Sequence, residues 1–360
     1  MEPLKEMFNQ AYYKNLAEVF ASVYKPFKAD DFVKEVTANM DMLSLNERMR
    51  NTSLVLHNYL PKKFSTSINI MKEVIPQLKS GYTNLVFPDY VSQFGQGDFL
   101  LSLNALQYFT RFGSSEFAIR TFLKQDIRAT LNEMYKWASD ENEHVRRLAS
   151  EGSRPRLPWS FKLDAIIENP SLTTPILQCL RADNALYVRK SVANHLNDIT
   201  KDSPEHVLRL IKSWDQAHPH TAWIIRRGCR SLLKQGDQNS MAIFNLTKNV
   251  RIAIKNLSLN KSKLRLNDTL LFHFNMVSTK KTNQRLMVDY RIHYSKKSGV
   301  QLPKVFKLKE LDLKPGETVT IKKQQRFQDF TTRKLHNGTH LLEIVVNGNV
   351  VAKKQFEFKR

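Results

Sequence analysis

The chain has 360 residues, 41% hydrophobic and 25% charged, with 56 lysines and arginines against 34 aspartates and glutamates. That balance excludes wholesale disorder and low-complexity or collagen-like chains, and the length points to two domains. No run approaches the roughly 18 apolar residues of a spanning helix, so no membrane segment is expected. The opening MEPLKEMFNQAYYKN lacks a signal-type apolar core and carries acids that a transit peptide avoids. Cys179 and Cys229 are too few for a disulfide framework or a zinc site, and two free thiols in a reducing cytoplasm are expected.

Residues 1–248 read as a succession of helices. Breaks fall at Pro61, Gly81, Phe87-Pro88, Gly113-Ser114-Ser115, Pro155 to Pro158, and Ser203-Pro204. Apolar residues recur at three- and four-residue spacing over 104–112 and 117–137, which predicts helices there. Ser114 or Ser115 is the expected N-cap of the second. His144-Val145-Arg146-Arg147 returns as Tyr187-Val188-Arg189-Lys190, 43 residues on, and more loosely as Ile224-Ile225-Arg226-Arg227, a further 37 on. Periods in this range mark two-helix solenoid repeats of the HEAT type. Over 186–200, Val188, Val192, His195 or Leu196, and Ile199 make an apolar stripe. Lys190, Asn194, Asn197 and Lys201 fall on another stripe, with Arg189 and Asp198 beside it. His195 is accordingly read as a packed core histidine and not as a ligand.

After about residue 249 the texture changes. Segments 250–255, 270–275, 286–292, 318–322 and 340–346 are short, and several alternate apolar with polar residues, as half-buried strands do. Pro315-Gly316, Asn337-Gly338 and Asn347-Gly348 are turn signals, the last joining 341–346 to 350–358 as a hairpin. Seven or so strands without a cysteine pair predict an immunoglobulin-like sandwich that lacks the disulfide. The expected architecture is therefore mainly α: a HEAT-like helical-repeat solenoid over 1–248, then an all-β immunoglobulin-like sandwich over 249–360. Residues 251–360 hold 24 basic and 8 acidic side chains, whereas the other 250 hold 32 and 26. So uneven a basic excess points to a polyanion, most simply nucleic acid.

No P-loop, Rossmann glycine fingerprint, HExxH or GxSxG is present. Two segments carry candidate chemistry: Ser114-Ser-Glu-Phe-Ala-Ile-Arg120 and Ala149-Ser-Glu-Gly-Ser-Arg-Pro-Arg-Leu-Pro-Trp159. In the second, an arginine-rich helix ends at Glu151-Gly152, and a turn through two prolines presents Arg154, Arg156 and Trp159. A helix C-cap at Gly152 followed by a structural tryptophan is the alternative.

SSEFAIR, ASEGSRPRLPW and VRKSVANHLNDITKDSPE resemble the AlkC branch of the bacterial DNA-alkylation-repair glycosylases. FKADDFV, LNERMRNTSLVLHNYLP, FPDYVSQFG and TTRK are similar as well, so the resemblance covers nearly the whole chain. It departs at Thr121, where a proline often follows the arginine. The resemblance implies a curved stack of HEAT-like repeats that holds duplex DNA, with the Ig-like domain closing round it. It implies excision of small cationic lesions of the 3-methyladenine and 3-methylcytosine type, without flipping the base fully into a pocket. Its catalytic acids would fall on Glu116 and Glu151, with Asp198 as a further acid of the cleft and Trp159 beside the lesion.

These residue types suit that chemistry, since acids in a DNA-binding cleft are otherwise repulsive to phosphates. For Asp198, a salt bridge orienting Arg189 or Lys190 is the alternative. Arg120, Arg154, Arg156, Arg189, Lys190 and Lys201, together with Arg333 and Lys334 in the sandwich, are expected to contact phosphates without reading sequence. A monomer without metal or cofactor is expected, cytoplasmic and on the nucleoid when bound to DNA. A non-enzymatic helical-repeat scaffold or a plain nucleic-acid binder is the competing reading, and release of free base from methylated duplex separates them.

Overall fold

A computed structural model describes residues 3–295, 301–330 and 334–360. No helix among them is long and apolar enough to cross a membrane. The chain divides into two compact units, 1–228 and 229–360.

The first unit opens with α1 (Gln10–Val23), α2 (Ala29–Thr37), α3 (Leu45–Tyr59), α4 (Phe64–Val74), α5 (Val86–Phe94) and α6 (Phe99–Phe109). Their apolar faces meet in an aromatic core, where Phe20 stacks on Phe27 at 5.1 Å and on Phe87 at 6.2 Å. Ser44 and Glu47 form a capping box that sets the start of α3, the Ser44 N–H donating to Glu47 at 2.8 Å.

Next come α7 (Ile119–Gln125), α8 (Ile127–Trp137) and α9 (Glu143–Gly152). The single helix expected over 117–137 is two. Asp126 has extended backbone, with φ −147°, and its carboxylate accepts from the Ala129 N–H at 2.9 Å, ending α7 and capping α8. Neither Ser114 nor Ser115 caps α7. Ser115 donates its hydroxyl to the Leu106 carbonyl at 2.8 Å, and Ser114 accepts from the Glu116 N–H at 3.3 Å. Glu116 therefore stands on a turn ahead of the helix.

The unit closes with α10 (Asp164–Glu168), α11 (Thr174–Cys179), α12 (Leu186–Ile199), α13 (Pro204–Lys212) and α14 (Pro219–Gly228). The 43-residue echo has a physical basis. Asp140 and Asp183 each accept the N–H two residues on, from Asn142 at 2.8 Å and Ala185 at 2.7 Å. Arg146 and Arg189 then each reach back six and five residues to two carbonyls, at 2.9 and 2.9 Å and at 2.9 and 2.8 Å. Arg146 also pairs with Asp183 at 2.6 Å, which ties one repeat to the next.

The second unit contains eight strands among its described residues: β1 (Ile252–Leu259), β2 (Lys263–Arg265), β3 (Thr269–Ser278), β4 (Gln284–Ser295), β5 (Gln301–Leu313), β6 (Thr318–Arg326), β7 (Gly338–Val346) and β8 (Asn349–Lys359). One sheet runs β1-β3-β6 and the other β2-β8-β7-β4-β5, antiparallel except for the β2–β8 pair. Alternate residues of β3, Leu270, Phe272, Phe274 and Met276, face inward against Tyr290, Ile292, Leu342 and Ile344. Asn347, at φ 44°, and Gly348, at φ 79°, make the tight turn expected between β7 and β8. Strands β2 and β5 were not anticipated, although Phe306, Leu308, Leu311 and Leu313 of β5 alternate with charged residues apart from one extra residue at Lys309-Glu310.

The domain boundary expected at 248/249 falls inside this unit, because α15 (Arg230–Gln235) and α16 (Gln238–Ile243) pack on the sandwich. Leu233, Met241 and Leu246 bury against Met287 of β4. Gly236 and Gly348 approach so closely that a methyl group on either would collide with the other's backbone. Asn347 donates to the Thr247 carbonyl at 2.9 Å and pins the lead-in segment. A 229–360 fragment is therefore expected to melt above a 249–360 fragment by about 5 °C or more, since uncovering a buried Leu or Met costs about 2–5 kcal/mol. Equal melting temperatures would assign the two helices to the first unit.

Candidate active site

On α9, Arg147 and Glu151 are four residues apart and share a face; Arg154 follows three residues later as the helix ends. On α12, Asp198 lies three residues before Lys201. Folding joins these groups and Glu116 into one line of alternating charge. Glu116 pairs with Arg147 Nη2, and the same nitrogen lies 3.7 Å from Glu151 Oε1. Glu151 Oε1 accepts from Arg154 Nη1 at 2.5 Å. Arg154 reaches Asp198 Oδ2 at 2.8 Å through both Nε and Nη2. Asp198 Oδ1 accepts from Lys201 Nζ at 3.0 Å.

The side chains of Glu151 and Asp198 are 8% and 4% exposed, and each lies between two cations. Burial alone would push the Glu151 carboxyl up. Arg147 and Arg154, helped by Ser191, outweigh burial and hold it below the usual carboxylate range. Burial likewise opposes the Arg154 charge, and Glu151 with Asp198 more than restores it.

Gly152 lets the end of α9 reach α7, since a Cβ there would sit 2.5 Å from Ile119 Cγ2. His195 of α12 is fully buried, as expected of a core histidine, and its Nδ1 lies 2.9 Å from the Ser150 carbonyl. The acceptor is a carbonyl, so Nδ1 carries the proton and donates. His195 thus ties the Asp198 helix to the residue preceding Glu151. Burial and the nearby Arg154 depress its pKa to about 3, so the ring is neutral.

Several expected phosphate contacts are otherwise engaged. Arg120 is fully buried, donating to the carbonyls of Gly152 at 3.0 Å and Arg154 at 2.7 Å and to that of Phe161, so it staples the 152–161 loop. Burial and Arg154 lower its pKa to about 10. Arg154 is buried between Glu151 and Asp198. Arg156 is paired with Asp202 at 2.9 and 2.7 Å. Arg189 spends one nitrogen on its own repeat's carbonyls and lies over the Trp223 ring at 5.9 Å. Asp198 accordingly pairs with Arg154 and Lys201, and not with Arg189 or Lys190. Lys190 and Lys334 are exposed, Lys201 is half exposed, and Arg333 lies outside the described residues.

Trp159 is 70% exposed at φ 64°, a left-handed conformation that is costly for a bulky residue. It lines a cavity of about 470 Å³ with Asn46, Arg50, Asp89, Phe117 and Thr121. A second, of about 460 Å³, is lined by Tyr82, Ser114, His144, Arg147 and Tyr187. Glu116 stands in sequence between Ser114, which lines the second cavity, and Phe117, which lines the first. Sequence reasoning missed Arg147, which also donates to Ser114 at 2.9 Å and stacks on Tyr187 at 4.8 Å. The i, i+4 spacing to Glu151 was the available signal.

Residues 108–232 match the family described as DNA alkylation repair enzyme, and residues 253–360 match the C-terminal Ig-like domain of the uncharacterised protein YhaZ. The chain is 37% identical over 358 residues to the uncharacterized protein YhaZ of Bacillus subtilis (strain 168), covering 99% of each. It is 43% identical to the Pseudomonas fluorescens alkylpurine DNA glycosylase AlkC, solved bound to DNA containing an abasic site analog, with TM-score 0.97 and 100% of each chain covered. The chain belongs to the AlkC-type DNA alkylation repair family. The helical-repeat and Ig-like architecture expected from its sequence is that of the family.

The depressed His195 pKa has a measurable consequence. Unfolded histidine takes a proton near pH 6.5, whereas the folded ring resists protonation down to about pH 3. Its contribution to stability is full above about pH 6.5 and falls as the pH drops toward about 3. The melting temperature of His195→Gln is expected to fall less between pH 7 and pH 5 than that of the wild type, whatever its level at pH 7. Parallel profiles would show that His195 titrates alike in the folded and unfolded chain, against a depressed folded pKa.

Proposed function

We propose that this chain is a DNA glycosylase of base excision repair, hydrolysing the N-glycosidic bond of cationic alkylated bases, of the 3-methyladenine and 3-methylcytosine type, in duplex DNA. The observation that carries this reading is the line of acids paired with fixed cations, Glu116 to Arg147, Glu151 to Arg154 and Asp198 to Lys201, in a chain that belongs to the AlkC-type family. A base alkylated at N3 is already cationic and leaves without a general acid. What remains is to stabilise positive charge moving onto the sugar and to position a water, and carboxylates suit both tasks. Glu116 and Glu151 take these roles, with Asp198 holding Arg154 in line. Trp159 offers an exposed indole to the cationic base, an attraction of about 0.5–2 kcal/mol. The base is not flipped fully from the duplex, and the enzyme works as a monomer.

Glu116→Gln and Glu151→Gln keep shape and remove charge. Each is expected to slow release of 3-methyladenine from methylated duplex by about 10²-fold or more, with DNA affinity unchanged or slightly tighter. Wild-type rates in both variants would remove the acids from the mechanism. Uracil and hypoxanthine, neutral leaving groups, are expected to be released poorly, and efficient uracil release would contradict catalysis without a general acid.

The basic sandwich supplies binding. Lys322 and Lys323 of β6 are exposed beside His273 of β3 and Ser258 of β1, along a groove of about 740 Å³. Each phosphate neutralised adds about −0.9 to the slope of log K against log salt. Lys322→Gln/Lys323→Gln is expected to flatten that slope by about 1–2 on undamaged duplex. An unchanged slope would mean that this face does not meet DNA.

A further inference from the structure

Two arginines stand two residues apart on α3 and are used in opposite ways. Arg48 is fully buried, and its guanidinium donates to the carbonyls of Met40 at 3.0 Å, Lys5 at 3.1 Å and Phe8 at 2.9 Å. That is structural use, with the charge enclosed. Arg50 is 47% exposed as a side chain, and only its Nε is tied, at 3.1 and 2.8 Å from the two oxygens of Asp89 on α5. Asp89 is itself 7% exposed and also accepts from the buried Ser53, one turn further along α3. A buried, doubly held carboxylate thus grips the inner edge of the guanidinium. The two terminal nitrogens of Arg50 make no hydrogen bond among the described residues.

The position of those nitrogens is informative. Arg50 and Asp89 both line the cavity of about 470 Å³ that holds Trp159. Asn46, Met49 and Arg50 come from one face of α3, and Phe117 comes from the residue after Glu116. Such a cavity offers a guanidinium fork of fixed orientation, a neutral amide and an aromatic rim. A guanidinium with two free parallel donors matches a phosphate's oxygens, and holding its Nε removes most of the entropy that binding would otherwise cost. Among the described residues, no other cation lines the cavity. The arginines expected to meet DNA on the segments around Glu116 and Glu151, Arg120 and Arg154, are buried and bonded to carbonyls and carboxylates, whereas this fork is a half-exposed donor pair that lines the same cavity as Trp159.

We propose that Arg50, oriented by Asp89 and Ser53, forms a phosphate subsite that clamps one backbone phosphodiester of the DNA strand beside Trp159. The subsite rests on the reading of this chain as a DNA-acting enzyme and adds a contact from the N-terminal helices, which none of the expected site residues supplies. It carries no base information, so it acts equally on any sequence.

The test is a salt titration of the full-length protein on two undamaged duplexes of different sequence, by fluorescence anisotropy. Arg50→Gln is expected to weaken binding by about tenfold at low salt and to flatten the salt slope by about 0.9 on both duplexes. Arg50→Lys keeps the charge and is expected to keep the slope, with an affinity between the two. A lowered melting temperature with an unchanged slope would make Arg50 a structural partner of Asp89 only and overturn the proposal. Loss confined to one duplex would make it a base reader, which also overturns it. Calorimetry with inorganic phosphate alone covers the other source: binding to wild type but not to Arg50→Gln, with the duplex slope unchanged, would assign the cavity to free phosphate. The two readings fail separately. No base release from methylated duplex with the Arg50 slope effect intact would sink the enzymatic reading, and base release with no slope effect would sink only the subsite.

Discussion

Burying a carboxylate is costly unless a cation goes with it, and this protein buries Glu151 and Asp198 with their cations in a row. Glu116, Arg147, Glu151, Arg154, Asp198 and Lys201 come from a turn, two helices and a loop, yet each group touches the next. The constraint is mutual. Removing Arg154 would leave two buried acids each with one partner, and removing Glu151 would leave two arginines crowded together. The surrounding structure serves this row: Arg120 fixes the 152–161 loop through three carbonyls, His195 fixes the residue before Glu151, and Gly152 brings α9 against α7.

The repeat explains why the row can be held so firmly. Helices α9 and α12 begin with the same device, an aspartate that caps its own turn and an arginine that returns to the turn's carbonyls. Arg146 bonding to Asp183 locks the phase of one repeat against the next. Two helices registered in this way present Glu151 and Asp198 at matching depth, where a single arginine spans them. The repeat is thus a positioning device as well as a packing unit.

Much of this was legible in the sequence, for identifiable reasons. The 43-residue echo, the strand alternation of β3 and the Asn347-Gly348 turn are local patterns, and each appears where expected. The acids were found through the quoted segments, and the i, i+4 rule would have added Arg147. What failed to show was non-local. Arg120 and Arg154 read as basic surface because the partners of Arg120 lie more than 30 residues on, at Gly152 and Phe161, and Arg154 bonds not only the nearby Glu151 but also Asp198, 44 residues on. The compact unit starts at 229, ahead of the expected boundary at 248/249, for the same reason: helices α15 and α16 have helical texture, and Met287 and Gly348 place them with the strands. The break at Asp126 was local, but an aspartate that both ends one helix and caps the next is hidden inside a continuous apolar period.

The row of charges also separates chemistry from attraction. Its three acids and three bases cancel, so the row contributes no net pull on a polyanion, while the whole chain carries +22. The excess lies mostly in 251–360, where basic residues outnumber acidic ones by 24 to 8. A cation shared between Glu151 and an approaching phosphate would hold the Glu151 carboxyl down less firmly once the phosphate was bound. Engaging Arg147 and Arg154 internally avoids this coupling, because their charge is already balanced before DNA arrives. Affinity can then be set by exposed groups such as Lys190, Lys322 and Lys323 without disturbing Glu151, and salt that screens those exposed groups reaches the buried row much less.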